Sequence, residues 1–307
     1  MPYAAFSTLL EDAARDNRSL AECVQSREAE DSDTSIAEVR TKLKEALNIM
    51  RKAVREGADE NIKSRTGLTG GDAAQLFKTV NNPDAVNLLG PRFTHILAAS
   101  MATVELNAAM GRIVAAPTAG ASGVLPGVFL TLDRDHKLGD EVLIDGLLVA
   151  GAIGACFAAQ ATLSGAAGGC QAEVGTAAAM TAGAIVYMLG SNSDGPYSSA
   201  KELNEAVGHA ASFAMQGQLG LVCDPVAGLV EVPCIARNAT GAAVALTGAQ
   251  MALAGLKFPI PFDEVVDTAS RVGAAIPPSL RETAKGGLAI TPTAKKIACD
   301  LNLNTAL

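Results

Sequence analysis

Apolar residues recur at helical spacing near the start of the chain. Between Ser35 and Gly57 they follow one another at steps of three and four, which places them on one face of a helix: Ile36, Val39, Leu43, Leu47, Met50 and Val54. Ser35 followed by Glu38 matches a capping box, and a glycine at position 57 is suited to end a helix. The pattern therefore predicts an amphipathic helix over residues 35–57.

Alanine-rich segments separated by glycine-dense turns predict further helices. They cover residues 4–16, 93–109, 140–163, 175–190, 200–217, 238–254 and 261–272. The acidic segment 27–34 is expected to be a mobile linker. Strand-like alternation of β-branched residues is scarce, and there is no βαβ rhythm. The predicted fold class is therefore all-α. We expect a charged N-terminal helical region at 1–60 and a compact domain of small-residue-rich helices, joined by Gly-rich loops, at 61–307.

The composition excludes several classes of protein. Hydrophobic residues make up 49% of the chain but aromatic residues only 4%, and charged residues are 18% against about 25% in an average soluble domain. Such a chain is too apolar to be disordered. Six cysteines in 307 residues are too few for a disulfide-stapled module. A net charge of −8 repels phosphate, so no nucleic-acid partner is expected.

A mean hydropathy of +0.25 raises the question of a membrane. Residues 146–172 and 174–193 carry no charge, and each stretch is long enough to span a bilayer. Both consist largely of small residues, and their flanks lack the Lys/Arg bias that orients a membrane helix. We interpret them as interior helices of a soluble protein; a small-residue membrane protein is the alternative. The N-terminus has no features of a secretory signal, so a cytoplasmic location with reduced thiols is expected.

Five loops are dense in glycine and small polar residues. They are GLTGGD (67–72), PTAGASG (117–123), SGAAGGCQAEVG (164–175), CDPVAGLVEVPC (223–234) and GGLAITPT (286–293). Glycine allows backbone to approach a ligand closely, and exposed N–H groups bind anions. None of the loops is a nucleotide-binding fingerprint. A plain connection between helices is the alternative interpretation for any one of them.

Three of the six cysteines lie in or beside Gly/Pro turns, namely Cys170, Cys223 and Cys234. Their spacing includes no C-x-x-C or H-x-x-x-H, so a structural zinc site does not fit. Three thiolates suit an iron–sulfur cluster that keeps one iron free of protein ligands. From the residues alone, separated cysteines of this kind are more commonly ordinary buried cysteines, so that interpretation stays open. Cys23, in a charged helix end that is expected to be exposed, and Cys156, inside an Ala-rich helix, are interpreted as bystanders.

Taken together, the loops resemble those of the α chain of the iron–sulfur-dependent L-serine dehydratases. The matching segments follow the family's order over residues 60–293: GLTGGDA, PTAGASG, SGAAGGCQAEVG, CDPVAGLVEVPCIARNA, MALAG and RETAKGGLAITPT. In that family, one cysteine in the GGCQAE loop and two flanking the DPVAGLVEVP loop bind a [4Fe–4S] cluster. The resemblance assigns these ligands to Cys170, Cys223 and Cys234, and makes 61–307 the catalytic domain.

The resemblance also implies the reaction, which is the conversion of L-serine to pyruvate and ammonia. The family works without pyridoxal phosphate: an open iron acts as a Lewis acid on the substrate hydroxyl, and a base takes the α-proton. A pyridoxal enzyme would need a Schiff-base lysine. Lys63 and Lys285, the lysines nearest the motifs, are interpreted as surface or anion-binding residues. The sequence does not identify the base.

Small polar residues of the motif loops are the candidates for contacting the substrate. The substrate-binding candidates are Thr69, Thr118, Gly120, Ser122 and Gly123. The catalytic candidates are Thr118, Ser122, Glu173 and Asp224. For the two carboxylates, orienting the substrate ammonium, acting as base and making a structural hydrogen bond all stay open. Asp72 is expected to cap the helix that follows it, and Arg237 and Asn238 to fix the cluster loop.

The chain departs from the complete family pattern in ways that bear on partners and ligands. It lacks the Ser-Ser-His-Thr type of loop found in the family's β portion, so a separate β chain is expected to be required. A homo-oligomer is left open. Cys299 lies beyond the motif region and is either a free thiol or a fourth, capping ligand in a resting state, as a tail cysteine is in some fused relatives. Ala294 stands where the family usually has glycine.

Two other functions stay open. A related lyase, acting on cysteine with release of sulfide or on another β-hydroxy amino acid, would use the same loops. A non-catalytic or electron-transfer iron–sulfur protein would instead need four protein ligands and would not respond to serine.

Overall fold

Helices make up most of the molecule, whose computed structural model describes residues 3–190 and 196–303. The α-helices of these ranges are α1 (Phe6–Asp16), α2 (Leu20–Asp31), α3 (Ile36–Gly57), α4 (Asp72–Asn81), α5 (Pro91–Ala108), α6 (Val124–His136), α7 (Asp140–Gln160), α8 (Gly165–Gly168), α9 (Thr176–Gly190), α10 (Ala200–Gln216), α11 (Cys234–Leu253), α12 (Phe262–Ala275) and α13 (Pro292–Asp300). The β-pairing found in the same ranges is one isolated parallel bridge, between Cys223 and Arg281. The all-α prediction is confirmed for this part of the chain.

Local signals located the third helix well and the second one badly. Helix α3 begins after Ser35 with the predicted capping box to Glu38. The mobile linker predicted at 27–34 is wrong, because α2 continues to Asp31. A second capping box starts this helix, between Ser19 and Glu22. Its charged residues face solvent while Cys23 is buried, which also corrects the expectation that this cysteine is exposed.

The sequence analysis gave no bounds to the helix it expected after Asp72, and it missed the helices in or beside the other glycine-rich loops, α6, α8 and α13. Helix α4 follows the GLTGGD loop, and α6 follows PTAGASG. Helix α6 holds Pro126 in its first turn and Gly127 directly after it, and both residues are poor helix formers in general. Proline is tolerated there because first-turn N–H groups have no intrahelical partner. Position 127 is glycine because a Cβ would collide with Ser100 of α5.

Helix α9 lies at the centre of the molecule and packs against α6, α7, α10 and α11. Small residues allow this crowding: a Cβ on Gly183 of α9 would overlap Ile153 of α7, and one on Gly146 of α7 would overlap Met188. Apolar residues of the N-terminal helices belong to the same buried cluster as α9. The division of the chain at residue 60 stays a prediction.

Among the residues that the structure describes, two helical stretches are long and apolar enough to cross a membrane, namely Asp140–Gln160 and Gln171–Gly190. In the folded protein, 67% and 89% of their most apolar windows are buried against other parts of the chain. Core helices of soluble proteins share this property, so the burial supports the interpretation of both as interior helices.

Gly57, the last residue of α3, packs directly on the backbone of α5. A Cβ here would lie far inside van der Waals distance of the Ala102 carbonyl oxygen, and a backbone atom cannot rotate away. We expect Gly57→Ala to lower the free energy of unfolding by about 2 kcal/mol, a cost typical of overpacking. Urea denaturation measures this change. The matched control is Gly151→Ala in α7, where open space surrounds the site and alanine should stabilise by about 0.5–1 kcal/mol. Equal midpoints for the two variants would contradict the close contact.

Candidate active site

The three motif cysteines come together from three separate segments. Cys170 leads into a π-helical turn, Gln171–Gly175, that runs directly into α9. Cys223 lies in the extended segment after α10, and Cys234 is the first residue of α11. All three are buried, with exposed fractions of 3%, 3% and 9%. The thiols of Cys170 and Cys223 hydrogen-bond to each other, and Cys170 lies close enough to Cys234 to influence its ionisation.

Hydrogen bonding and burial both shift the pKa values of the three motif thiols. The hydrogen bond from Cys223 lowers the pKa of the Cys170 thiol against the opposing effect of burial. The same bond, together with burial, raises the pKa of Cys223 well above its usual value. Burial raises the pKa of Cys234 to about 12. The hydrogen bond between Cys170 and Cys223 thus favours a thiolate within this pair, and the thiolate is the form that binds metal.

Gln171 ties the Cys170 segment to its surroundings. Its backbone N–H donates to the Leu221 carbonyl at 3.0 Å, and its side-chain oxygen accepts from the Gly220 N–H at 2.8 Å. Its side-chain amide donates to the Ala269 carbonyl at 2.7 Å. Gly169 just before the cysteine has a φ of +75°, and a Cβ there would lie 2.8 Å from the Leu221 carbonyl oxygen. The Cys170 turn is thus held against the segment that leads to Cys223.

The RETAKGG segment holds Cys223 from the other side. The Cys223 N–H donates to the Leu280 carbonyl at 2.8 Å, and its carbonyl accepts from the Glu282 N–H at 2.6 Å. Arg281, between these two partners, donates through Nη1 to the Ala167 carbonyl at 3.2 Å. Its Nε is buried and has no hydrogen-bond partner within residues 3–190 and 196–303. Arg281 therefore connects the Cys170 and Cys223 segments and keeps one donor unused.

Asp224, a catalytic candidate, has both carboxylate oxygens engaged inside the protein. Oδ1 pairs with Nη2 of Arg237 at 2.7 Å, and Oδ2 accepts from the Leu288 N–H at 2.7 Å. Arg237 also donates to the Val222 carbonyl at 2.9 Å. Gly287, with a φ of +59°, leaves space where a Cβ would strike the Asp224 carboxylate. The geometry favours a structural ion pair for Asp224, and it agrees with the expectation that Arg237 fixes the cluster loop.

Asn238 joins the PTAGASG loop to the start of α11. Its side-chain amide donates to the carbonyls of Gly120 at 2.7 Å and Cys234 at 2.9 Å, while its oxygen accepts from the Gly123 N–H at 2.9 Å. Gly120 and Gly123 therefore contribute through their backbones. Ser122 is buried, and its hydroxyl donates to the Ala119 carbonyl at 2.8 Å, within the loop itself. This leaves Thr118 as the residue of the loop whose hydroxyl reaches another motif.

Glu173 is the carboxylate that the fold places beside the cysteines. Thr118 donates to Oε1 at 2.7 Å, and Oε2 lies 3.9 Å from the Cys223 sulfur. Burial raises the pKa of this carboxyl. An oxygen of Glu282 lies within 4.8 Å of both Glu173 and Cys223, so the three side chains form one group. Glu282 was missed by the sequence analysis, although it is the second residue of the quoted RETAKGG motif.

The carboxylates open onto a depression of about 530 Å³. Its lining includes Thr118, Ser164, Gly165, Glu173 and Glu282. Among the described residues, neither carboxylate forms an ion pair. The negative charge of Glu282 adds to that of Glu173 across this space, which is an arrangement that attracts a cation.

The GLTGGD loop contacts the site indirectly. The Thr69 hydroxyl, predicted to bind substrate, donates to Oε2 of Glu231 at 2.6 Å. Asp72 is the first residue of α4, not its cap, which corrects the expectation. The capping role falls to Glu105 of α5, whose oxygens accept from the N–H groups of Gly71 and Ala73 at 2.9 and 3.0 Å. A cap supplied from a distant helix leaves no local sequence signal.

The remaining cysteines lie elsewhere. Cys156 is fully buried in α7, and burial raises the pKa of its thiol to about 12. Cys23 is buried in α2. Cys299 is exposed on α13, in contrast to the three buried motif cysteines. Its capping role stays a prediction.

The chain matches a family model described as "Serine dehydratase alpha chain" over residues 15–289. The "Probable L-serine dehydratase, alpha chain" of Bacillus subtilis (strain 168) is 44% identical over 92% of this chain and 93% of the relative. The "L-serine dehydratase, alpha chain" of Peptoniphilus asaccharolyticus is 37% identical over 90% of both chains. The "L-serine dehydratase" of Mycobacterium tuberculosis (strain CDC 1551 / Oshkosh) is 34% identical over 97% of this chain but 63% of its own length.

Proposed function

Because the chain belongs to the serine dehydratase alpha chain family, we propose that it is the α chain of an L-serine dehydratase, a lyase that converts L-serine to pyruvate and ammonia. One structural observation carries the proposal. Cys170, Cys223 and Cys234 are buried close together, beside the Glu173 carboxylate, which itself lines an open depression. The names of the α-chain relatives support serine as the substrate.

The residues present fit a [4Fe–4S] cluster. Three thiols on three separately anchored segments match a cluster with three protein-bound irons and one open iron. The unused, buried N–H of Arg281 is a donor of the kind that bonds to cluster sulfur and tunes it. No pyridoxal phosphate is proposed: Lys63 and Lys285 are both exposed, and Lys63 donates to the Gly70 carbonyl of its own loop at 3.2 Å.

When bound, the cluster supplies a Lewis-acidic iron with a coordination position for the substrate hydroxyl. The chain itself supplies the charged groups around that position. Thr118 holds the Glu173 carboxylate in one orientation at the wall of the depression. We assign proton transfer from the substrate α-carbon to Glu173, since it is the carboxylate next to a ligand cysteine. We assign the substrate ammonium to Glu282, on the exposed side of the same depression.

Glu282→Gln is expected to raise the KM for L-serine about tenfold, the value of one charge-assisted contact, while kcat stays within about twofold. The physical reason is that the neutral amide attracts the substrate ammonium less. Steady-state assays of pyruvate release measure both constants. Glu264→Gln, an exposed glutamate on α12 away from the depression, is the matched control and should leave KM unchanged. An unchanged KM for Glu282→Gln would contradict its assignment to the ammonium.

A separate β chain is part of the proposal. The Mycobacterium tuberculosis relative continues beyond the part that this chain matches, so an L-serine dehydratase can contain sequence that is absent from the matched region. The names of the other two relatives, which call them α chains, also support a separate β chain.

We further propose a cytoplasmic location, where thiols stay reduced. Homo-oligomerisation stays a prediction, which light scattering of the purified protein would test.

Anaerobic purification with and without a β chain is the direct test of the function. The expected protein binds iron and sulfide, shows a visible absorption band and releases pyruvate from L-serine when the β chain is present. A chain that stays colourless and iron-free after anaerobic reconstitution would overturn the cluster. A chain that takes up the cluster but acts on cysteine or another β-hydroxy amino acid would replace serine as substrate. A loaded chain inert toward all three substrates would instead favour a non-catalytic iron–sulfur protein.

A further inference from the structure

Two buried glutamates that the proposed chemistry does not use hold the same segment of the chain. Glu105 and Glu231 have exposed fractions of 1% and 4%. Within the described residues, each accepts hydrogen bonds from residues 66–73 and neither has a cationic partner. A buried carboxylate without a counter-charge is costly unless hydrogen bonds satisfy it. Both glutamates therefore depend on the position of this segment.

Glu231 receives two hydroxyl groups from the segment. Thr66 donates to Oε1 at 2.8 Å and Thr69 donates to Oε2 at 2.6 Å. The 2.6 Å bond from Thr69 has the length of a hydrogen bond to a charged acceptor, which is about twice as strong as a neutral one, and the 2.8 Å bond from Thr66 has an ordinary hydroxyl length. The backbone N–H of Leu68 donates in turn to the Thr66 hydroxyl oxygen at 3.2 Å, which fixes that side chain.

The other end of this connection is the loop that carries Cys234. Glu231 stands three residues before the cysteine, and its carbonyl accepts the Ile235 N–H at 2.9 Å in the first turn of α11. The adjacent Val232 carbonyl accepts from the Val226 N–H at 2.8 Å, which closes the loop on itself. The position of the Glu231 side chain thus constrains the backbone on which Cys234 begins its helix.

Glu105 completes a continuous link to the protein core. It projects from α5, a helix with many buried residues, and accepts the N–H groups of Gly71 and Ala73. The segment 64–73 is therefore hydrogen-bonded to α5 at one end. At the other end it is hydrogen-bonded to the loop 223–234, which carries Cys223 and Cys234 and is called the cluster loop. The hydroxyl groups of Thr66 and Thr69 are the part of this link that meets the cluster loop.

We propose that Glu231 is a positioning residue: through Thr66 and Thr69 it clamps the segment 64–73 to the loop 223–234 and thereby keeps Cys234 shielded and in place to hold the cluster. This inference rests on the proposed function. It also gives a physical role to the threonine of the GLTGGD motif, which is engaged by the protein itself.

The test uses three variants of the full chain: Glu231→Gln, the double variant Thr66→Val/Thr69→Val, and the control Thr181→Val. Thr181 is a buried threonine whose hydroxyl bonds within α9, to the Ala177 carbonyl at 2.7 Å. The first measurement is made on the cluster-free chain, well below its melting temperature. Mass spectrometry follows the alkylation rate of Cys234 and of Cys156, which lies fully buried in α7. The second is the lifetime in air of the reconstituted cluster, followed by visible absorption and iron content.

We expect both clamp variants to speed alkylation of Cys234 and shorten the cluster lifetime, each by about tenfold, the factor of one hydrogen bond to a charged group. Alkylation of Cys156 and all properties of Thr181→Val should stay at wild-type values. A fall in melting temperature with unchanged Cys234 reactivity and cluster lifetime would assign Glu231 a purely structural role and overturn the proposal. A wild-type chain that never takes up a cluster would instead refute the proposed function, and the alkylation result would still test the clamp.

Discussion

Replacing Cys170, Cys223 or Cys234 by serine is expected to abolish the cluster and all L-serine dehydratase activity. Each cysteine is buried on its own anchored segment, so the loss of one thiolate leaves an iron without a ligand and no other cysteine of the site to take its place. The loss should be the same for all three variants, because each ligand is needed. Anaerobic reconstitution followed by iron and sulfide analysis, visible spectra and pyruvate assays measures it.

The controls are the cysteines that lie elsewhere. Cys23→Ala and Cys156→Ala remove buried thiols from α2 and α7 and should cost stability but leave iron content per folded chain unchanged. Cys299→Ser separates the two interpretations of that residue. A free thiol predicts no change, whereas a capping ligand predicts an altered resting spectrum and faster cluster loss. Bleaching by Cys23→Ala, with the motif variants still coloured, would show that the ligand assignment is wrong.

Glu173→Gln is expected to lower kcat about 10²- to 10⁴-fold, the contribution of a positioned general base, with iron and sulfide content retained. The amide keeps the shape of the side chain and its contact with Thr118 but cannot accept the α-proton. The KM for L-serine should change by less than about threefold if the loss is confined to the chemical step. Steady-state kinetics and exchange of the substrate α-proton with solvent deuterium measure the effect.

Two neighbouring variants separate chemistry from structure. Thr118→Val removes the hydrogen bond that orients Glu173 and should lower kcat by about tenfold, less than the loss of the carboxylate itself. Asp224→Asn breaks an ion pair with Arg237 and should reduce cluster retention and stability. Wild-type kcat and α-proton exchange in Glu173→Gln would rule out this residue as the base. An Asp224→Asn variant that keeps its cluster but loses kcat would transfer the role to Asp224.

Prediction of the helices succeeded where the signal was local. The stripe from Ile36 to Val54 and its capping box lie within one stretch of sequence, and α3 agrees with them to within a residue. Helix α4 was expected after Asp72 without bounds, and its cap was predicted wrongly because its N-terminus is capped by Glu105 from another helix. Helix α6 was missed because Pro126 and Gly127 are poor helix formers. The structure explains both residues: Pro126 lies in the first turn, and Gly127 contacts α5.

The candidate site shows the same division. Turns and motifs singled out Cys170, Cys223 and Cys234 as candidate ligands. The structure buries all three close together, as a shared site would require. Glu282 did not stand out, because an exposed glutamate in a charged motif resembles any surface residue until the fold brings it within 4.8 Å of Cys223 and Glu173. Glu231 and Glu105 were missed because a carboxylate is expected at the surface, and its burial depends on donors about 160 and 30 residues away in sequence.

By itself, the sequence determined the all-helical class, the loops that matter and the three candidate ligand cysteines, because helix periodicity, turn residues and motifs are properties of neighbouring positions. Only the tertiary structure decided which partner each motif residue meets. It directed the hydroxyl of Thr69 to Glu231 and that of Ser122 into its own loop, paired Asp224 with Arg237, and left Glu173 facing the open depression. The physical reason is that a polar side chain acts on whichever donor or acceptor it meets in space. That partner is set by the packing of small-residue helices around α9.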